Sequence, residues 1–369
     1  MRHLRVSFEL KSSLRTPFQA DTIFGHICWA IRHIAGEERL RSFLNAYDGA
    51  LPLLISDGFP VLDGGTESGT YYLPRPLTPM RSGAVKAVSE SLGIAGDDRL
   101  ARRQFASAWK ALDKKPWISA EVLYRRFSSL DMSDVFADCF RLRICPISMT
   151  ERRHGQCGCT DWQQCPGLET GLGTGARCTA AYPRSEAVLT THNVLNRWTS
   201  ASEDLFQEED RFASHGFYLL VRLDESILSL GDFGACMEYI EHSGYGADRS
   251  TGKGAINNLH IEDWTLPECP GATHYINLSS AFVPTAGDVD PDGSYYAVHV
   301  KHGKLGGDYA AVGNVWKKPV LMLAAGSVFK GDPGAPHGQL VRGVHSELPG
   351  VVQYGYAFPM GVRLNGQAE

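Results

Sequence analysis

The chain has 369 residues and a formal net charge of -5 at pH 7, a length that ordinarily accommodates about two domains. With 43% hydrophobic and 21% charged residues, it has the composition of a folded globular protein. The negative charge excludes a uniformly basic nucleic-acid-binding surface, so any anion site must be a local patch. The start lacks the apolar core of a signal peptide, and no apolar run approaches the ~20 residues that cross a bilayer. These features predict a cytoplasmic protein without a membrane partner.

The first elements of the chain are predicted by two different periods of apolar residues. Apolar and polar side chains alternate from Leu4 to Leu10, which indicates a strand with one buried face. After a loop, Asp21 or Thr22 can cap a helix whose isoleucines recur every three or four residues until Gly36 ends it. From about residue 56 to residue 184 the periodicity weakens and turn residues accumulate. We therefore expect a long insertion over residues 56 to 184.

A similar order of elements returns in the second half. A strand is predicted at residues 217 to 223, a helix at 233 to 242, and further strands at 259 to 263, 274 to 283, 319 to 329 and 351 to 364. Mixed strands and helices of this kind favour an α+β architecture of two ferredoxin-like (RRM-type) units, with helices covering one face of each sheet. The predicted domains are residues 1 to 215, which contain the insertion, and residues 216 to 369.

The insertion contains a cluster of cysteines. The odd total of nine cysteines in a cytoplasmic protein does not favour a disulfide framework. Four of them could supply thiolates to one tetrahedral zinc ion and so hold a segment poor in core residues. They are Cys157, Cys159, Cys165 and Cys178. Their spacing differs from that of a zinc ribbon, and the alternative is a loop with reduced thiols. A site with four sulfur ligands would be structural.

The stretch SGYGADRSTGKG, residues 243 to 254, is a candidate phosphate site. Glycine lets backbone N–H groups approach an anion closely, and Arg249 and Lys253 could neutralise it. The four glycines are Gly244, Gly246, Gly252 and Gly254. No named nucleotide motif fits, because no Ser or Thr follows Lys253, and Arg249 stands where a dinucleotide fingerprint needs its third glycine. The alternative is a helix C-cap at Gly244 followed by a mobile turn.

Other polar residues could contribute to the same kind of site. The stretch THNVLNRW brings an imidazole, an amide and a guanidinium close together in His192, Asn193 and Arg197. Its alternative interpretation is the capped start of a helix with a surface arginine. Lys11 and Arg15, at the end of the first strand, could face phosphates from the opposite wall or be solvated ends. The basic run at residues 99 to 126 is a further candidate for a local anion-binding patch. The alternative for this run, and the usual role of the acidic run at residues 203 to 210, is a solvated face.

Four stretches, taken in chain order, resemble one known family. They are TPFQADTIFGHICWAI, THNVLNRW, SGYGADRSTGKG and VVQYGYAFPMGV, at residues 16–31, 191–198, 243–254 and 351–362. In combination they resemble the fourth subunit of type III-A CRISPR Csm effector complexes, a member of the RAMP superfamily. The resemblance covers both ends and the second half, whereas residues 56 to 184 match poorly. The family often has Thr-Gly after the HNxxNR stretch, where this chain has Trp198.

The resemblance implies a non-catalytic RNA-binding subunit of an antiviral effector complex. Such subunits resemble paired ferredoxin-like domains that hold the crRNA at its 5′ handle, dock the large polymerase-like subunit and start the filament of RAMP backbone subunits. Single-stranded RNA in a bent shape needs phosphate neutralisation, backbone donors and planar groups. The RNA-binding residues expected on this basis are Lys11, Arg15, His192, Asn193, Arg197, Gly244, Gly246, Arg249, Gly252, Lys253 and Gly254.

Two other functions stay open from the sequence. RAMP relatives include metal-independent endoribonucleases that process CRISPR repeat RNA, and His26, His192 or His260 could serve as a general base. A lone helical histidine such as His26 is, however, more often packed or solvated than catalytic. The third possibility is a zinc-stabilised interaction module whose glycine loop binds protein.

Overall fold

The computed structural model describes residues 1–62, 69–92, 99–141, 182–183, 185–311 and 313–365. The α-helices of these ranges are α1 (Ala20–Ala35), α2 (Glu37–Ala46), α3 (Ala84–Ser91), α4 (Arg99–Asp113), α5 (Ala120–Arg126), α6 (Met132–Arg141) and α7 (Leu230–Ser243). The first strands are β1 (Arg2–Leu10), β2 (Leu53–Ile55), β3 (Phe59–Leu62), β4 (Thr70–Pro74), β5 (Trp117–Ser119), β6 (Ser185–Leu195), β7 (Ser202–Ala213), β8 (Gly216–Leu223) and β9 (Ile256–Asp263). The later strands are β10 (His274–Asn277), β11 (Val298–Lys301), β12 (Val320–Leu323), β13 (Val328–Lys330), β14 (Gly338–Val341), β15 (Gln353–Tyr356) and β16 (Pro359–Val362).

The largest sheet is antiparallel and has the strand order β5-β4-β3-β8-β1-β9, with β2 also paired to β8. Its register places Leu4 opposite Val221 on β8 and opposite Asp263 on β9. Leu4, Val6 and Phe8 are buried, so the strand predicted at the start of the chain is confirmed with its apolar face inward. The sheet also shows that β8, which follows the predicted domain boundary at residue 215, pairs directly with β1.

Two helices, α1 and α7, pack against each other beside this sheet. Ile23, Ile27 and Ile31 of α1 are buried, as their spacing predicts, whereas Ile34 is 53% exposed because the helix is ending at Gly36. Neither Asp21 nor Thr22 caps α1. The backbone N–H of Ala20 instead donates to the Asp57 carboxylate at 2.9 Å, so a distant residue satisfies the helix start.

The described part of the insertion is built into the first sheet. Strands β3, β4 and β5 extend that sheet on one side. Helix α5 packs against β4 and β5, α6 packs against α5, and α3 packs against both α6 and α4. Some cations of the basic run are paired: Arg126 with Asp138 at 2.5 Å and Arg125 with Glu121 at 2.7 Å. The four cysteines of the predicted zinc site lie outside the described residues. Within the described ranges no cluster of three or more His, Cys, Asp or Glu residues could hold a metal ion.

The part of the chain after β9 consists of short strands. Strands β13, β10 and β16 form a three-stranded sheet, and β11–β12 and β14–β15 form two-stranded sheets, all antiparallel. No α-helix occurs in residues 264–311 and 313–365. The overall fold is therefore mixed α/β with antiparallel sheets, as the predicted α+β class requires. None of the helices in the described ranges is both long and apolar enough to span a bilayer.

Candidate nucleic-acid interface

The glycine loop, defined as residues 243 to 254, leaves the end of α7 in a conformation that requires glycine. Gly244, Gly246, Gly252 and Gly254 all have positive φ angles, between 67° and 89°, which non-glycine residues rarely adopt. A side chain at Gly254 would overlap the carbonyl group of Tyr245, whose backbone N–H donates to the Gly254 carbonyl at 2.9 Å. The C-cap predicted at Gly244 is confirmed.

The loop is fixed by its own amides to α1 and to the segment between β1 and α1. The backbone N–H of Gly246 donates to His26 Nε2 at 2.9 Å, and that of Ala247 donates to Thr16 Oγ1 at 3.1 Å. The N–H of Gly254 donates to the Ser13 carbonyl at 2.7 Å. These three amides are therefore used within the chain and are not free to bind an anion, which corrects the expectation that Gly246 and Gly254 offer bare amides.

The acidic run on β7 lies against the cations of the glycine loop. Lys253 Nζ is 3.2 Å from Glu208 and 2.9 Å from Asp210. Arg15 Nη1 is 2.8 Å from Glu208 and also pairs with Asp248. Hydrogen bonds to Asp210 and Asp248 raise the pKa values of Lys253 and Arg15 respectively. The predicted solvated face at residues 203 to 210 is wrong for Glu208 and Asp210, because both act as counter-ions inside the site.

Arg249 differs from the other two cations of this site. Among the described residues it has no carboxylate within ion-pair distance, although it lies in the same loop as Lys253. Burial lowers the pKa of His26 to about 4, and the positive charge of Arg249 adds to this effect. The guanidinium therefore lies near that imidazole. Arg249 is therefore the loop cation whose charge is available to an external anion.

The neutral form of His26 accepts the Gly246 hydrogen bond, and this predicts a dependence of stability on pH. In the unfolded chain His26 has its ordinary pKa of 6.5, whereas in the folded chain its pKa is about 4. Between these two pH values the unfolded state therefore binds a proton that the folded state does not bind. We therefore expect the free energy of unfolding to fall by about 3 kcal/mol as the pH is lowered from 6.5 to 4. Above pH 7 the contribution is absent.

Urea unfolding at several pH values measures this contribution. His26→Gln keeps a hydrogen-bond acceptor and removes the titration, so its stability should fall less than that of the unaltered chain below pH 6.5. Other histidines titrate equally in both proteins and cancel from the difference. Parallel stability curves for the two proteins over this range would contradict the assignment to His26.

The stretch THNVLNRW forms a strand and a turn, so its interpretation as a helix start is wrong. His192 lies on β6, stacks on Phe206 of β7 with 5.4 Å between ring centroids, and has Nε2 3.4 Å from Glu208. Residues two apart share a face of a strand, which is why Phe206, Glu208 and His192 meet. The stacked rings of His192 and Phe206 form a planar surface. Glu208, beside them, connects the hairpin to the glycine loop through its ion pair with Lys253.

The remaining predicted residues are not brought to the loop by side-chain contacts. Asn193 lies on the opposite face of the hairpin from His192 and accepts a hydrogen bond from Ser202 at 2.7 Å. Arg197 is exposed in the turn beyond β6, beside Trp198, which is 97% exposed. Lys11 is exposed, and its backbone N–H pairs with Ala255. Phe206, Glu208, Asp210 and Asp248 were missed, although the alternating pattern of β7 could have shown that the first three share a face.

Comparison with known proteins finds a similarity that spans nearly the whole chain. No protein-family profile matches it. The CRISPR system Cms protein Csm4 of Thermococcus onnurineus (strain NA1) is 25% identical over 358 residues, which are 96% of this chain and 94% of that protein. A chain in the crystal structure of the Csm3-Csm4 subcomplex in the type III-A CRISPR-Cas interference complex matches 98% of this chain and 100% of its own length, with a TM-score of 0.58 and 14% identity. The resemblance to the Csm4 family is confirmed.

A second solved structure supports the same fold. A chain in the crystal structure of the Csm1-Csm4 cassette in complex with cA4 matches with a TM-score of 0.51 and 20% identity. The match covers 99% of both chains. The span of this match thus includes the insertion as well as the stretches that carry the sequence motifs.

Proposed function

We propose that the chain is a subunit of a type III-A CRISPR effector complex and holds the 5′ handle of the crRNA without cleaving it. The similarity to Csm4 over nearly the whole length supports the first part. The solved Csm4 structures include complexes with Csm3 and with Csm1, so we infer a RAMP backbone subunit and the large polymerase-like subunit as the protein partners of this chain.

The finer fold assignment is also a proposal. In the order β3-β8-β1-β9, helix α1 follows β1 and helix α7 follows β8, which is the βαββαβ arrangement of a ferredoxin-like unit. This supports a first RAMP unit that continues through β9, with the division near residue 263 and not at residue 215. Strands β10 to β16 would then form the second unit, for which a ferredoxin-like fold stays a prediction.

The environment of Arg249 supports RNA binding most directly. A guanidinium that has no carboxylate partner among the described residues, held at a fixed bend beside α1, is suited to pair with a phosphate. The stacked rings of His192 and Phe206 on the neighbouring hairpin supply a planar surface of the kind that single-stranded bases use. Lys253 and Arg15 contribute less net charge because Glu208, Asp210 and Asp248 neutralise them.

Sequencing the nucleic acid that copurifies with the chain from its native host tests the proposal. We expect short RNAs that share one 5′ tag. For the purified chain, Arg249→Ala should weaken retention of this RNA about tenfold and lower the slope of its salt dependence by about one. Arg41→Ala removes an equal charge from the exposed face of α2 and should change neither quantity. Absence of a shared tag, or equal effects of both variants, would contradict the proposal.

A metal-independent endoribonuclease is the alternative that an activity assay decides. Incubation of the chain with CRISPR repeat RNA should give no product under the proposed function. Product formation that one change of His26, His192 or His260 abolishes would establish the enzyme instead.

The zinc site stays a proposal on the sequence alone. Metal analysis of the purified chain should find about one zinc ion, and the double change Cys157→Ser with Cys159→Ser should remove it. Zinc-free parent protein would end this proposal. Cys139→Ser and Cys236→Ser, which change buried cysteines of the described core, serve as the matched control and should leave the zinc content unchanged.

A further inference from the structure

Strands β11 and β12 form a two-stranded ribbon that has an exposed apolar strip on one face. Val300 lies directly opposite Leu321, and Val298 shares their face because residues two apart on a strand point the same way. These three side chains, the apolar strip, are 63%, 59% and 50% exposed respectively. Leu323, opposite Val298, is buried in a small apolar cluster with Phe329. The strip therefore continues a packed cluster out to the surface of the protein.

The opposite face of the ribbon is attached to the rest of the chain. Met322 on that face is buried. Lys301 Nζ donates to Gln19 Oε1 at 2.5 Å and is 3.3 Å from the Asp21 carboxylate at the start of α1. The ribbon is thus fixed from behind, and it presents the apolar strip on a firm support.

The outer edge of β11 carries backbone groups that pair with nothing in the described part of the chain. The only strand beside β11 in those ranges is β12, and the Ala324 N–H donates to the Ala297 carbonyl at 2.9 Å. Hydrogen-bonded and non-hydrogen-bonded pairs alternate along an antiparallel ladder, so the N–H and C=O groups of Val298 and Val300 point away from β12. An exposed apolar strand edge of this kind is a template on which another extended chain can pair.

The surroundings of the strip are cationic. Residues 295–307 and 313–324 contain no Asp or Glu. Lys304 and Lys318 are exposed, and neither has an ion-pair partner among the residues whose structure is described. Lys304 Nζ lies 5.8 Å from the centre of the Trp316 ring, which stacks on His302. A complementary ligand therefore combines apolar side chains with carboxylates near its end at Lys304.

We propose that the outer edge of β11 binds an extended segment of a partner subunit as an added strand. This inference rests on the proposed function and names the surface through which the backbone subunit or the large subunit docks. Main-chain hydrogen bonds to Val298 and Val300 would hold the segment, and every second side chain of it would cover the apolar strip. The aliphatic strip and the open backbone edge favour protein over RNA, whose bases stack on planar rings.

Two substitutions separate the edge from the strip. Val300→Pro removes an N–H that points away from β12 and places a ring on the outer edge, which edge strands tolerate. Leu321→Lys changes the strip from β12 and leaves the edge of β11 intact. Val85→Lys is the matched control, because Val85 is an exposed apolar residue of α3, outside the ribbon.

Binding of the full-length chain to the purified backbone subunit and to the purified large subunit, measured separately by interferometry, tests the inference. For one of the two subunits, Val300→Pro should weaken the affinity at least about thirtyfold and Leu321→Lys about tenfold. Val85→Lys should change neither affinity. Val300→Pro should also bind fluorescein-labelled oligouridine as the unaltered chain does, whereas Arg249→Ala should not.

The other outcomes overturn the inference in distinguishable ways. If both subunits bind Val300→Pro and Leu321→Lys as they bind the unaltered chain, the inference is wrong and the proposed function stands. If the unaltered chain binds neither subunit, the proposed partners are wrong as well. Should Val300→Pro lose affinity for oligouridine, or convert a dimer of the chain to a monomer in size-exclusion chromatography, the edge binds RNA or a second copy instead. If Val300→Pro does not fold, Leu321→Lys decides by the same comparison.

Discussion

Gly254→Ala is expected to lower the unfolding free energy by about 4 kcal/mol. Gly254 has φ at 67°, where a Cβ atom adds about 1 to 2 kcal/mol of strain. The new methyl group would also overlap the Tyr245 carbonyl, and relieving such overpacking costs about 1 to 3 kcal/mol. The two hydrogen bonds through which Gly254 joins Tyr245 and Ser13 would be disturbed as well. Urea unfolding followed by circular dichroism measures the change.

Gly252→Ala is the matched control for this effect. Gly252 lies in the same loop with φ at 89°, but no atom lies within 4 Å of a side chain built there. Its substitution should therefore cost only the conformational strain of about 1 to 2 kcal/mol. If both substitutions cost the same, the close contact between Gly254 and Tyr245 does not fix the loop.

The double change Glu208→Gln with Asp210→Asn is expected to raise the affinity for RNA about a hundredfold. Both carboxylates neutralise Lys253, and Glu208 also neutralises Arg15. Their loss would free Lys253 beside Arg249, leave Arg15 paired with Asp248 alone, and remove repulsion of the phosphates, worth roughly 1.4 kcal/mol per carboxylate. The slope of affinity against salt should become steeper at the same time. Anisotropy with labelled oligouridine over a range of salt concentrations measures both quantities.

The hairpin itself provides the control for this charge change. Asp204 and Glu209 are exposed on β7, and the double change Asp204→Asn with Glu209→Gln alters the net charge by the same amount. Its effect on RNA affinity should be small, because neither residue pairs with a cation of the glycine loop. Equal gains in the two double variants would mean that overall charge, and not the pairing at Lys253, limits binding.

The elements that depend on local patterns could be predicted from the sequence. Alternation from Leu4 to Leu10 and the spacing of Ile23, Ile27 and Ile31 identified β1 and α1, because each pattern needs only neighbours in the chain. The helix C-cap at Gly244 was likewise indicated by its glycine, as the alternative interpretation of the loop. What failed was the start of α1, since its N–H partner is Asp57, whose side chain arrives from another part of the chain.

Pairings between distant residues were not available from the same patterns. The domain boundary was placed before β8 because a strand and a helix repeat there, yet β8 pairs with β1 in one sheet. Short apolar runs predict strands but do not indicate which strands pair with one another. The candidate site shows the same limit, because the acidic run and the cationic loop were both recognised, but only the fold brings Glu208 and Asp210 against Lys253.

The pairing of Lys253 with Glu208 and Asp210 has a consequence for the stability of this site before any ligand binds. Lysine and arginine side chains that have no carboxylate partners repel one another in a folded protein until an anion such as a nucleic acid binds. Here the chain supplies its own counter-ions in Glu208 and Asp210, so under the proposed function this site should fold without bound RNA. Under the proposed function, the isolated subunit should therefore be stable before RNA is loaded.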